Sequence, residues 1–229
     1  MKFFAKALIP LALAVMTCSG SLKAQEGEFG EDSKLNTNLA MTFSVPLNPI
    51  AQFTNIGWGT TVGAGYNLNS HNAIIGEFLW NHMYPTPEVL APIRLALNSA
   101  SVNGHANVYA LTANYRLEFR GRSKGIYFIG GGGIYRRDTS LTQEVPNGTA
   151  TTCTPAWAWW GFTCSSGVVT TDVTLASRAS TVFGYNGGMG LTVKVGEPRY
   201  RMYIEARYHY APTSRINTQI IPITMGIRF

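Results

Sequence analysis

The 229-residue chain carries only 13% charged residues, 24 glycines and 12% aromatics, with a formal net charge of +6. That wealth of aromatics excludes a disordered chain. After residue 24 no apolar run approaches the roughly 20 residues that a membrane-crossing helix needs, which leaves β-structure whose apolar residues alternate rather than run.

Lys2 and Lys6, the apolar stretch from Ala7 to Met16 and a small-residue region ending near Ala24 read as an export signal, cleaved between Ala24 and Gln25. A competing reading makes Cys18 a lipid-bearing N-terminal cysteine, for which Thr17 is a poor preceding residue. Cleavage removes Lys2, Lys6 and Lys23 but no acid, leaving 15 basic against 12 acidic residues and a net charge of +3. The basic character is therefore partly the signal's, and no nucleic-acid partner is expected.

Strands follow from period-two alternation. The first two are expected at about 38–46 and 55–68; in the second, Ile56, Trp58, Thr60, Val62, Ala64 and Tyr66 alternate with Gly57, Gly59, Thr61, Gly63, Gly65 and Asn67. A third is expected at 72–84. In the fourth, 105–119, Tyr109, Leu111, Ala113, Tyr115, Leu117 and Phe119 share one face. The fifth, 126–139, has a parity that the run Gly130–Gly133 leaves ambiguous. The sixth, 178–195, puts Phe183, Tyr185, Met189, Leu191 and Val193 on one side. The seventh, 199–211, sets Met202, Ile204, Ala206, Tyr208 and Tyr210 against Arg201, Tyr203, Glu205, Arg207 and His209. The last, 218–229, aligns Ile221, Ile223, Met225, Ile227 and Phe229.

Eight strands leave connections at 47–54, 69–71, 85–104, 120–125, 140–177, 196–198 and 212–217. The second, fourth and sixth are tight, while the third and fifth are long. Antiparallel membrane barrels sort their connections in this way, with short periplasmic turns and longer external loops. Trp58, Trp80, Tyr84, Tyr109, Tyr135, Tyr208 and Tyr210 are expected near the external strand ends, and Tyr66, Phe119, Tyr127 and Phe229 near the periplasmic ends. Two such girdles suit two headgroup boundaries. A soluble ligand-binding barrel would reverse the pattern, apolar inward and polar outward.

The segments GRSKGIYFIGGGGIYRR and EARYHY and the ending IIPITMGIRF resemble the small bacterial outer-membrane β-barrel family typified by the OmpA and OmpX barrels, over about residues 35–229. The resemblance implies an all-β, eight-stranded antiparallel up-and-down transmembrane barrel in the outer membrane. Residues 1–24 are then a signal peptide and 25–34 a periplasmic lead-in, and no peptidoglycan-binding domain is expected after Phe229. It also implies that the terminal pattern of Ile227 and Phe229 is read by the barrel-assembly machinery during biogenesis.

Glu77, Arg116, Glu118, Glu205, Arg207, His209 and Arg228 share inward parity. A barrel of eight strands is just wide enough to be filled by side chains. The first reading is therefore a charge-paired plug, and the alternative a narrow porin-like path for ions or small solutes. A lipid A-modifying enzyme on this scaffold carries a His-x-Ser pair facing the bilayer; here His209 is followed by Tyr210 and Ala211, so no enzyme is expected. Gly130–Gly133 lacks the Lys-Ser/Thr of a phosphate loop, and no cofactor or metal is expected.

Cys153 and Cys164 read as a disulfide in an oxidising compartment. They bracket Trp157, Trp159, Trp160 and Phe162, either a recognition surface for an external ligand or a small aromatic core over the barrel mouth. Arg136, Arg137 and Arg178, with Arg94 and Arg215, are expected at the external rim, as lipopolysaccharide-phosphate contacts or as solvated charges. The functional expectation is a monomeric structural barrel of the envelope that displays its loops for adhesion or partner binding.

Overall fold

In a computed structural model, residues 34–99, 101–155, 161–196, 200–213 and 215–229 are described, without the side chains of Thr152, Pro155 and Phe162. Eight strands, β1 (Leu35–Pro46), β2 (Gly57–Asn67), β3 (Asn72–Met83), β4 (Val102–Arg120), β5 (Lys124–Pro155), β6 (Phe162–Lys194), β7 (Arg201–Ala211) and β8 (Thr218–Arg228), close into one barrel in sequence order. Every neighbouring pair is antiparallel. β1 and β8 make the seam, where Phe229 N donates to Thr37 O at 3.0 Å and Thr37 N to Phe229 O at 2.7 Å. Closure leaves no free edge on the barrel wall.

The pleat sorts side chains as the alternation requires. Met41, Phe43, Leu111, Phe183, Met189, Met225 and Ile227 point outward, with Phe183 69% and Leu111 61% exposed. Such exposure on strand after strand is an apolar belt, the surface of a barrel whose solvent is lipid. Among the described residues no helix is long and apolar enough to cross a membrane; the strands do the crossing.

The glycine run resolves the parity of β5. Tyr127, Ile129, Gly131, Gly133 and Tyr135 face inward, and Ile126, Phe128 and Ile134 face outward. Tyr127 and Tyr135 are thus not girdle residues. Both are buried in the lumen, and glycines across the sheet make their room: a Cβ on Gly190 would strike the Tyr127 ring, and one on Gly184 would come within 2.8 Å of the Tyr135 ring. The belt end at the loop side is instead marked by Trp58 and Trp80, whose rings meet edge to face at 5.4 Å, and by Tyr185 stacked on Tyr210 at 5.1 Å.

Two connections differ from expectation. The third contains helix α1 (Pro87–Ala96), which begins with a proline in its first turn, carries Glu88 in that turn and Arg94 in the last, and buries Leu90. Charges so placed complement the helix dipole, and Arg94 also ties the helix to β4 by donating to Val102 O at 2.9 Å. The fifth is no loop: β5 and β6 continue through it as a paired ribbon. β4 accompanies β5 only as far as Gln143, and β7 accompanies β6 only as far as Tyr185. Beyond these points the two strands stand as an arm, with one register shift at its foot, Leu141/Thr142, and another along it, Pro146/Thr149. Residues 144–155 reach roughly 40 Å at about 3.3 Å per residue.

Candidate functional site: the sealed lumen and the projecting arm

The middle of the lumen is organised around Arg207. Its Nη1 donates to Glu77 Oε2 at 2.6 Å and its Nε to Glu205 Oε1 at 2.7 Å. Each carboxylate has further donors: Asn38 Nδ2 and Asn114 Nδ2 reach Glu77 at 3.0 and 2.7 Å, and the Tyr127 hydroxyl reaches Glu205 at 2.8 Å. β1, β3, β4, β5 and β7 therefore meet through one guanidinium. Charges this deeply buried persist only when paired and hydrogen-bonded.

Nearer the turn end, Glu118 is shared by three arginines. Arg116 lies 3.5 Å from its Oε2, and Arg120 and Arg228 lie 3.3 Å from the same atom. Thr192 Oγ1 donates to its Oε1 at 3.1 Å. Arg228 also sits over the Tyr127 and Tyr203 rings, 5.0 and 5.1 Å from their centroids, so aromatic faces supply part of the balancing charge. Toward the loop end, His209 meets the Tyr135 hydroxyl at 2.9 Å. An apolar layer including Ile50, Leu79, Met83, Val108 and Ile220 packs there. All seven inward groups named from the sequence are buried. Between the Arg207 layer and the loop end, the space lined by Glu77, Leu79, Glu205, Arg207 and His209 amounts to about 10 Å³, the least that holds one water.

Cys153 and Cys164 are joined as a disulfide across a directly opposed pair of the ribbon, near its far end. Trp157, Trp159 and Trp160 lie outside the described residues, and of Phe162 only the backbone is described, opposite Pro155. Between Gln143 and Val173 the sequence has no Lys or Arg, and its acids Glu144 and Asp172 face one another in register.

The rim arginines separate. Arg136 points outward and pairs with Asp138 at 3.1 Å. Arg137 turns inward and donates to Ile216 O and Thr218 Oγ1, both at 3.3 Å, so it does not face the lipid as its neighbour does. Arg178 is exposed at the foot of the arm. Ile227 and Phe229 face outward beside the β1–β8 seam.

Sequence reasoning missed the polar residues that complete the lumen: Asn38, Asn114, Asn186, Tyr127, Tyr203 and Arg120. Apart from Tyr127, whose parity the glycine run hides, their inward parity was the available signal; attention to formal charge passed over the amides. It also missed α1, although Val89, Leu90, Ile93 and Leu97 fall at helical spacing after Pro87.

A profile of the outer membrane protein beta-barrel domain matches residues 11–229. No curated protein matches the sequence. Among solved structures, neisserial surface protein A superposes with a TM-score of 0.52 at 14% identity, over 86% of this chain and 96% of that one. Ail, the attachment invasion locus protein of Yersinia pestis, does so at 0.43 and 14%, over 85% and 96%. The N-terminal barrel of Pseudomonas aeruginosa OprF gives 0.39 and 12%, over 86% and 98%. The chain belongs to the outer membrane protein beta-barrel domain family and resides in the bacterial outer membrane.

Proposed function

We propose that this protein is a non-conducting, non-enzymatic structural barrel that carries a recognition arm out of the envelope. The observation that carries the reading is the continuation of β5 and β6 beyond their last barrel neighbours as a disulfide-closed ribbon. A barrel needs no such ribbon to be stable, and an isolated pair of strands is only marginally so in water. The sequence at its end, Trp157, Trp159, Trp160 and Phe162, has the composition of an interaction hot spot.

Against conduction stands the filled lumen, where Arg207 crosslinks two carboxylates. Against hydrolysis stands the burial of His209, which bonds a lumen tyrosine. A half-buried His–Ser contact is made by His105, Nε2 to Ser140 Oγ at 2.9 Å, but both its ring nitrogens face the same hydroxyl. Among the described residues no hydrogen bond from His105 reaches a carboxylate, so the third member of a hydrolytic triad is missing. Export through a cleaved signal at residues 1–24, delivery by the barrel-assembly machinery through Ile227 and Phe229, a monomeric state and contact of Arg136 with lipopolysaccharide phosphate belong to the same reading.

The test replaces Trp157, Trp159 and Trp160 together by alanine in cells that display the protein, and measures their attachment to host-cell monolayers. The triple variant is expected to reach the surface normally and to lose most of the attachment. Attachment equal to wild type at equal surface display would contradict the arm's role.

A further inference from the structure

The loop end holds a recess separate from both the lumen and the end of the arm. Its volume is about 320 Å³. Leu90 and Ile93 of α1 form one wall, Phe53 and Ala106 the floor, and Leu141 and Ala176 at the foot of the arm the other wall. Gly104 to Ala106 on β4 lie beyond Tyr109, the register partner of Trp80, and Thr139 to Leu141 on β5 lie beyond Gly132, the register partner of Tyr185. The recess therefore opens above the belt, on the aqueous side.

Its polar side chains are hydroxyls, one imidazole and one guanidinium. Thr54, His105, Thr139, Ser140, Ser177 and Arg178 line it, and no carboxylate does. Arg178 is exposed and makes no ion pair among the described residues. One guanidinium thus lines an apolar hollow that no carboxylate lines. A guanidinium is the side chain best matched to a carboxylate.

We propose that this recess binds a free anionic amphiphile: a single acyl chain packed between α1 and the foot of the arm, with its carboxylate on Arg178. Small-molecule sites are mostly apolar hollows of about 300–1,000 Å³ with a few placed polar groups, and this one lies at the small end. That size admits one chain and not the several of an outer-leaflet lipid. A neutral hydrocarbon would leave Arg178 unmatched. The proposal is independent of what the arm's end recognises.

The test uses the full mature chain refolded into lipid nanodiscs, with dodecanoate titrated calorimetrically and empty discs as the blank. Saturable binding above the blank is expected. Ala176→Trp, at an exposed position facing the recess, should fill it and weaken binding by about tenfold or more. Arg178→Gln should weaken it by about ten- to a hundredfold, the usual loss for one hydrogen bond to a charged group, and should abolish any preference for dodecanoate over dodecanol. Ile93→Trp fills the same space from α1 and serves if the first variant does not fold. Binding no greater than to empty discs, or binding that all three variants leave unchanged, would overturn the site. Retention of a multi-chain lipid that Ala176→Trp releases, without dodecanoate binding, would overturn the choice of occupant.

Discussion

The same two strands live in two environments. From the turn end to Tyr135 on β5 and Tyr185 on β6, the strands are barrel staves, with lipid on one face, a packed lumen on the other and a neighbour on each side. Beyond Gln143 and Tyr185 they lose those neighbours and become a ribbon with two free edges and most residues exposed. In the first region each residue is constrained by which of two unlike media it faces. In the second both faces meet water, so strand pairing survives while the apolar alternation that marks a stave disappears. The barrel is thus built for closure and the arm for reach.

If that division holds, the largest effect comes from the lumen. Arg207→Gln leaves Glu77 and Glu205 buried without their cation, and removing one partner of a buried ion pair costs about 3–5 kcal/mol. Urea titration of the vesicle-embedded protein, followed by heat-modifiable gel mobility, should show that loss. On the opposite face, Met41 lies midway along β1, opposite Met225. Met41→Arg places a charge near the midplane and should cost about 2–4 kcal/mol by the same measurement. A much smaller loss would mean that the belt lies elsewhere.

The arm should respond differently. Cys153→Ser with Cys164→Ser opens a crosslink of sequence separation 11, worth about 3 kcal/mol in the chain-entropy model. The loss should stay local: amide exchange speeds up near the end of the ribbon while the barrel midpoint is unchanged. A shifted barrel midpoint would show that the two regions are coupled. Smallest of all, Arg136→Gln breaks an exposed pair with Asp138 and should change stability by less than about 1 kcal/mol.

What could be seen in the sequence follows the same line. Glu205, Arg207 and His209 were assigned inward because Ile204, Ala206, Tyr208 and Tyr210, which alternate with them, had to face lipid, and all three inward groups are buried. The Cys153–Cys164 pairing was legible from export and isolation alone. The arm was not, since its Thr- and Ser-rich strands lack the contrast that reveals a stave. Tyr127 and Tyr135 were misplaced for a steric reason: small residues erase parity, and only the crossing of each ring over a glycine shows which side is filled. Glu118 was named, but its sharing among three arginines depends on shear between distant strands, which no local pattern records.

The most direct test of the division between sealed barrel and functional arm is single-channel recording in planar bilayers. The refolded chain would be compared with a variant whose arm is cut back to Leu141 and Ala176, with heat-modifiable mobility confirming that both are folded. Both are predicted to be electrically silent, because the seal is the charge network around Arg207 and Glu118 and not the arm. Stable, reproducible openings from either protein would contradict the account and make the lumen a pathway.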